Sequence, residues 1–237
     1  MAHPKSIGQN RSRDERPHEV RAVGRVRARP KPSAARYLPA RQSYASLRAA
    51  AADCHGCDLY KHATQTVFGE GKVRAPVMFV GEVPGDVEDL TGHVFVGPAG
   101  RLLRKAMEAA GLDARDVYMT NAVKHFKFVE RGKRRIHQKP KRIEIQACRP
   151  WLEAEIDLVK PHIVLALGAV AAGALLGPSF RLSHHRGEFV RSNTGARIMA
   201  TMHPSAILRA PDSAARRKAT ARLVNDLRTI ARSLRQK

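Results

Sequence analysis

Four short apolar segments, each bounded by turn residues, recur along the second two thirds of the chain. They span residues 76–82, 116–123, 162–168 and 197–203. Continuous apolar segments of this length are typical of strands that are covered on both faces, as in parallel sheets. The pattern therefore predicts four buried parallel strands.

Segments with helical periodicity lie between and after these strands, at residues 100–110, 142–159, 169–176 and 214–234. Alternating strands and helices are typical of α/β domains, in which helices cover both faces of the sheet. We therefore predict an α/β fold, a three-layer α/β/α sandwich with a central, mostly parallel sheet. Ligands bind to such sheets beyond the carboxyl ends of the strands.

The first 42 residues lack this periodicity and are rich in Arg and Pro. Such a composition predicts disorder, because it offers too little apolar surface to bury. Ser43 can then cap a short helix that extends to Asp53. We expect a basic tail over residues 1–42 and a single folded domain over residues 43–237.

The chain is strongly basic, with 43 Lys and Arg against 21 Asp and Glu and a formal net charge of +22. The first 45 residues hold eleven Lys or Arg and three acids, so most of the excess charge lies in the rest of the chain. This excess favours a polyanionic partner such as nucleic acid. A basic surface that only confers solubility is the alternative.

The sequence contains no apolar segment of the roughly 18 residues that a membrane span needs, and its start lacks the apolar core of a secretory signal. We therefore expect a cytoplasmic protein with no membrane partner. Three cysteines are present, and Cys54 and Cys57 form a Cys-x-x-Cys pair. This usage favours metal or cluster ligation over structural disulfides.

The connection over residues 124–141 is long and strongly basic, with few apolar residues. We predict an exposed loop there, and long loops in compact domains usually carry function. Non-specific binding of a nucleic-acid backbone is the alternative. Its cations are Lys124, Lys127, Arg131, Lys133, Arg134, Arg135, Lys139 and Lys141.

Four motifs follow one another at the predicted strand ends and turns. They are Gly81-Glu82-Val83-Pro84-Gly85-Asp86, Phe95-Val96-Gly97-Pro98-Ala99-Gly100, Thr120-Asn121 and His203-Pro204-Ser205. This set resembles the motifs of the uracil-DNA glycosylase superfamily. Cys54-His55-Gly56-Cys57 and Cys148 resemble its iron–sulfur branch, family 4. Lys133-Arg134-Arg135-Ile136-His137 resembles the loop of the UdgX type, which crosslinks to its product DNA. The resemblance covers about residues 45–235.

The resemblance implies an enzyme of base-excision DNA repair that breaks the bond between uracil N1 and deoxyribose C1′. Cleavage develops positive charge on the sugar and negative charge on the base, so the site must stabilise both. The nucleotide must leave the stacked duplex or come from a single strand. The implied partner is uracil-containing DNA, single strands included, and we expect a monomer associated with the nucleoid.

Four residues acquire base-binding or electrostatic roles from this resemblance. Phe95 would stack on uracil, and the Asn121 amide would pair with its polar edge. His203 would stabilise the developing oxyanion. Asp86 lies four residues after Glu82, so both carboxylates can face one pocket, and the resemblance implies an acid/base or electrostatic role for them. The structural alternatives are core filling for Phe95, strand termination for Asn121, and capping for His203 and Asp86.

In the UdgX type, His137 would be the nucleophile: a neutral imidazole nitrogen attacks C1′ and forms an N-glycosidic link. Glu82 would orient or deprotonate His137, and Arg135 would contact phosphate or hold the loop over the site. Two alternatives stay open, a hydrolytic glycosylase that turns over and a non-catalytic module that binds nucleic acid. Val83 departs from the Gln that UdgX-type relatives commonly have at its position.

The resemblance also implies a [4Fe–4S] cluster with a structural role. The ordinary branch has a fourth Cys at the position that His125 occupies here. A set of three Cys and one His suits structural zinc as well, so the residue types leave both metals open. His55 and His62 are alternatives to His125. The implied ligands are Cys54, Cys57, His125 and Cys148.

Overall fold

The computed structural model describes residues 1–2, 32–191 and 195–236, and the fold is that of the compact unit Lys31–Lys237. The disorder predicted for the tail falls largely on residues 3–31, which lie outside the described residues. Ala34 is buried, and its amide donates to the carbonyl of Ala147 (2.7 Å). Ordered structure therefore includes residues that the sequence assigned to the tail.

The described strands are β1 (Val77–Gly81), β2 (Val117–Asn121), β3 (Phe128–Arg131), β4 (Arg134–His137), β5 (Ile163–Leu167), β6 (Phe189–Arg191) and β7 (Arg197–Thr201). The described helices are α1 (Tyr44–Ala52), α2 (Asp86–Thr91), α3 (Pro98–Ala110), α4 (Arg142–Val159), α5 (Ala169–Leu176), α6 (Leu182–His185), α7 (Pro204–Leu208) and α8 (Ser213–Arg235). Ser43 caps α1 by accepting a hydrogen bond from the Ser46 amide, as the sequence predicted.

Five strands form the central sheet in the order β2-β1-β5-β7-β6. The first four are parallel, with Val77 opposite Val117 on one side and Ile163 on the other. The edge strand β6 is antiparallel to β7. The mostly parallel sheet confirms the predicted fold class, and β6 escaped prediction because three residues carry too little pattern.

Two apolar layers cover the sheet, and alternate residues of β1 point into them. Val77 and Phe79 pack with residues of α3 and α8, whereas Met78 and Val80 pack with residues of α4 and α5. This alternation follows from the two-residue period of a strand and produces the three layers. Among the described helices, none is both long and apolar enough to cross a membrane.

The basic connection is not the open exposed loop that the sequence predicted, because it contains the antiparallel hairpin β3–β4. Glu130 lies opposite Arg135, and Gly132 makes the turn with a positive φ of 59°. Lys124, at the start of the connection, is buried because its ammonium pairs with Glu155. The strands could not be predicted because a short hairpin whose residues are mostly exposed shows no apolar alternation.

Candidate active site

A cavity of about 590 Å³ lies at the carboxyl ends of the parallel strands. Glu82 follows β1, Asn121 ends β2, and His203 lies two residues beyond β7. Phe95 reaches the cavity from the loop between α2 and α3, and His137 reaches it from the end of β4. The structure thus brings together five of the seven residues to which the resemblance assigned catalytic or substrate-binding roles.

The floor of the cavity places an amide beside an aromatic ring. The Asn121 side chain is buried and has no hydrogen-bond partner among the described residues. A Cβ at Gly81 would overlap Asn121 Oδ1 and lie 2.7 Å from Phe95 Cζ, so only glycine fits there. Phe95 has a φ of 53°, a strained conformation that surrounding structure must maintain.

His203 is a neutral hydrogen-bond donor facing the cavity side of β7. Its Nδ1 accepts from the amide of Ser205 (3.1 Å), so the proton of the neutral ring is on Nε2. Burial, together with the nearby His137 and Arg209, lowers the pKa of His203 to about 4. The imidazole is therefore uncharged at neutral pH and offers one N–H donor.

Glu82 carries a buried oxygen without a partner. Its Oε1 has no hydrogen bond among the described residues, and burial raises the pKa of this carboxyl, while Lys139 and Arg209 oppose the shift. A buried unpaired oxygen costs stability, so it is expected where a ligand or water completes the site. No hydrogen bond joins Glu82 to His137, the contact that the resemblance implied.

His137 approaches the cavity from the hairpin. Partial burial lowers the pKa of its imidazole, as does Arg209, while Glu88 acts in the opposite direction. The imidazole is therefore neutral at neutral pH, and a neutral ring has one nitrogen with a free lone pair. This is the protonation state that a nucleophile requires.

Glu88 lines the same cavity and was missed by the sequence analysis. It is buried, and its carboxylate accepts from the amide of Gly97 (2.8 Å), which holds the loop that carries Phe95. An acid in the first turn of a helix is ordinarily interpreted as favourable to the helix dipole, which hid this role. Its position three residues after Gly85, within the motif region, was the available signal.

The site residues all lie within one region that known proteins share. A family model described as the uracil DNA glycosylase superfamily matches residues 68–228. The chain belongs to the uracil-DNA glycosylase superfamily. It is 36% identical over 166 residues to a type-4 uracil-DNA glycosylase of Pyrobaculum aerophilum, which is 67% of this chain and 81% of that protein.

Two further relatives support this membership of the superfamily. A type-4 uracil-DNA glycosylase of Thermotoga maritima is 35% identical over 157 residues, 66% of this chain and 78% of that protein. A type-5 uracil-DNA glycosylase of Pyrobaculum aerophilum is 34% identical over 153 residues, 57% and 63% respectively. Similarity therefore extends to two types within the superfamily.

In this superfamily member, Arg135 fastens the hairpin to α2. Its guanidinium donates to Asp86 Oδ1 (2.6 Å) and to Asp89 Oδ2 (2.7 Å). Asp86 therefore faces Arg135 and does not line the cavity, although the sequence allowed both Asp86 and Glu82 to face it. These two ion pairs attach the hairpin to α2, and His137 lies two residues later on the same strand.

A second, small cavity collects the proposed metal ligands. The indole of Trp151 donates to Cys54 Sγ (3.2 Å), and the amide of Lys124 donates to Cys148 Sγ (3.3 Å). Donors directed at sulfur stabilise the thiolate form that binds metal. All three cysteines are free. The cavity is lined by Cys54, Cys57, His125 and Cys148, together with Lys124 and small or apolar neighbours.

The chemistry of these donors fits a metal group. Burial lowers the pKa of His125 to about 4, so its ring is neutral, and burial raises the pKa of Cys148 to about 12, so this thiol needs a metal to ionise at neutral pH. Within residues 32–191 and 195–236, no three such side chains converge closely enough for one ion. Of the alternatives to His125, His55 stacks on Tyr60 (4.1 Å) and does not line the cavity.

Proposed function

We propose that this protein excises uracil from DNA and becomes covalently attached to the abasic sugar through His137. The observation that supports this proposal is that a neutral imidazole on the hairpin shares one cavity with the residues suited to hold the base. Membership of the superfamily supports uracil excision, and the names of the type-4 relatives point to the same substrate.

Base recognition comes first. The Phe95 ring stacks on uracil, and the Asn121 amide donates to the O4 atom and accepts from the N3–H group. Cytosine presents the opposite donor and acceptor at these positions, so a fixed amide rejects it. Reaching the cavity requires an unstacked nucleotide, and a single strand supplies one at a smaller energetic cost than a duplex.

Bond cleavage transfers the electron pair of the C1′–N1 bond to uracil. The His203 Nε2–H group donates to the oxygen on which negative charge accumulates. The lone pair of the His137 imidazole then forms a bond to C1′, and the imidazole loses its remaining ring proton. Glu82, whose pKa is raised by burial, accepts this proton directly or through water.

The cofactor that we propose is a [4Fe–4S] cluster bound by Cys54, Cys57, Cys148 and His125. When bound, the cluster supplies a structural crosslink between the end of α1 and the start of α4, without a redox step. Three cysteines and one histidine suit either a cluster or a zinc ion, and the resemblance to the iron–sulfur branch supports the cluster. Iron analysis and visible absorbance of the purified protein separate the two metals.

His137→Ala tests the covalent step. Labelled single-stranded DNA with one uracil is incubated with each protein, heated in detergent and separated on a gel. We expect a shifted band with the wild-type protein, no shift with His137→Ala, and no shift with thymine in place of uracil. His184→Ala, which changes an exposed histidine on α6, should crosslink as the wild type does.

Two other outcomes would contradict the proposal in different ways. Abasic DNA without a shifted band would indicate a hydrolytic glycosylase, in which the unpaired Glu82 oxygen positions water. Neither product, from a folded and metal-loaded protein, would indicate a binding module. We also propose that the protein acts as a monomer, and light scattering with and without DNA tests this.

A further inference from the structure

Lys124 is a fully buried cation that contacts Asn121, the residue proposed to recognise the base, on the side opposite the active-site cavity. Its side chain is 1% exposed. The ammonium donates to the Thr120 hydroxyl (2.6 Å) and to the main-chain carbonyl of Asn121 (2.8 Å), and it forms an ion pair with Glu155. All three donors of the ammonium are therefore used, and none faces the cavity.

Glu155 completes this buried network from α4. Its carboxylate accepts from the Tyr118 hydroxyl (3.0 Å), the Gly69 amide (3.0 Å) and the Thr120 hydroxyl, in addition to the Lys124 ammonium. Apolar residues of similar volume often stabilise a protein as well as a buried ion pair does. Stability alone therefore does not account for a fully satisfied pair at this place.

The sheet topology explains why Asn121 needs this support. The strand β2 lies at the edge of the sheet, where the amide of Glu70 donates to the outer carbonyl of Met119 (2.8 Å). At Asn121, the last residue of β2, the Lys124 ammonium donates to the main-chain carbonyl instead. The amide of the same lysine donates to Cys148 Sγ, so one residue contacts both the base-reading strand end and the wall of the cysteine cavity.

We propose that Lys124 and Glu155 are positioning residues for uracil recognition. The lysine holds the main chain of Asn121, which keeps the side-chain amide in the orientation that distinguishes uracil from cytosine. Its own main chain is held in turn at the cysteine cavity. The inference rests on the proposed function, because it concerns how that same site reads its base.

The test uses Lys124→Met combined with Glu155→Gln, which removes both charges and leaves no unpaired ion in the core. The matched control is Arg186→Met combined with Asp226→Asn. Asp226 is also a buried carboxylate, and it accepts from Arg186 and from Thr201, the last residue of β7. Unlike β2, the strand β7 is paired on both sides. The control therefore loses a similar network without releasing an edge strand.

Three quantities are measured: the single-turnover rate at saturating protein, the apparent Kd for uracil-containing DNA, and the ratio of rates on uracil and cytosine. For the Lys124/Glu155 variant we expect the rate and the ratio to fall about 10- to 100-fold, the effect of a misplaced contact group, with Kd nearly unchanged. The control should melt at a lower temperature and keep the wild-type ratio.

If the double variant does not fold, a milder variant is used for the same test. Thr120→Val removes one partner of the ammonium, and we expect the ratio to fall about threefold. Variants that lose stability but keep the wild-type rate and ratio would overturn the positioning role of Lys124 and Glu155, and would leave the proposed function unaffected. If the wild-type protein excised no uracil, the proposed function would fail, and this inference would fail with it.

Discussion

The two walls of the candidate pocket are held by different kinds of interaction. Glu82, Asn121 and His203 follow strands that pair within the central sheet, and those strands are buried from Val77 to Gly81 and from Val117 to Asn121. The hairpin that carries His137 belongs to a separate two-stranded sheet whose residues are mostly exposed.

Side-chain contacts attach the hairpin wall to the rest of the molecule. Arg135 joins it to α2, with its guanidinium 5.4 Å from the ring centre of Phe126 and 5.1 Å from that of Phe128. Lys127 pairs with Glu144 at the start of α4 (2.8 Å). Because side-chain contacts hold it, we expect the hairpin to open locally without unfolding the sheet. In the proposed mechanism, base recognition therefore depends on the central sheet, whereas sugar capture depends on the attached hairpin.

The largest effect is expected from Gly81→Ala, which damages the sheet-borne wall. The added methyl overlaps the Asn121 amide and crowds Phe95, so both base-holding groups must move. We expect excision to fall about 100-fold or more, because small displacements of reacting groups are costly. Single-turnover kinetics on uracil-containing DNA measure the loss.

Gly173→Ala provides the control for this prediction. A Cβ at this helical glycine meets no atom within 4 Å, so excision should remain at the wild-type rate. Equal rates for the Gly81 and Gly173 variants would show that the pocket floor tolerates movement, and would contradict the rigid recognition wall.

An intermediate effect is expected from Arg135→Gln, which loosens the hairpin wall only. Excision should continue while crosslinking falls about tenfold, because His137 is then less well placed relative to C1′. The product should shift from crosslinked DNA toward free abasic DNA, as quantified on one gel. Arg134→Gln, on the exposed neighbouring residue, should leave the product ratio unchanged. A parallel loss of both products would indicate that the two walls are not independent.

The smallest effect is expected from pH. In the proposed mechanism His137 captures the sugar as a neutral ring. Its pKa is lowered from the ordinary value, so we expect the capture rate to be flat above about pH 6.5. The rate should fall as the pH drops through the lowered pKa and the ring protonates. A capture rate that rises in acid would contradict the nucleophile assignment.

The same acid range should reduce stability through His203. Its pKa is about 4 in the folded protein and about 6.5 when unfolded, so the unfolded chain binds more protons between these values. The stability contributed by the neutral ring is present above pH 6.5 and is lost progressively toward pH 4. Thermal melting across this range measures the loss, which should shrink in His203→Gln.

Most of the central sheet could be predicted from the sequence, because buried parallel strands and amphipathic helices have strong patterns of apolar and polar residues. The predicted helices at residues 142–159 and 169–176 agree with α4 and α5 at both ends. The hairpin and the buried Lys124 could not be predicted in the same way. A lysine is ordinarily expected at the surface, and the partner that allows Lys124 to be buried, Glu155, lies 31 residues away on a helix.

The candidate site could be predicted for those motif residues that lie at the ends of predicted strands. Residue identities placed Glu82, Asn121 and His203 at one sheet edge, since carboxyl ends of parallel strands meet there. Side-chain directions were not available, so Asp86 was expected at the pocket and instead pairs with Arg135. Val83 lines the cavity and is buried, so it gives the site an apolar surface where the resemblance led us to expect an amide.

The two ends of the hairpin lie side by side. The amide of Gln138 donates to the carbonyl of Lys127 (2.8 Å), so residues 128–137 leave the chain and return to it at nearly one point. Deleting them would require little more than a direct link between neighbours, and the strands of the central sheet would keep their register. A gene could therefore gain or lose His137 together with its hairpin in a single short insertion or deletion, with the central sheet inherited intact.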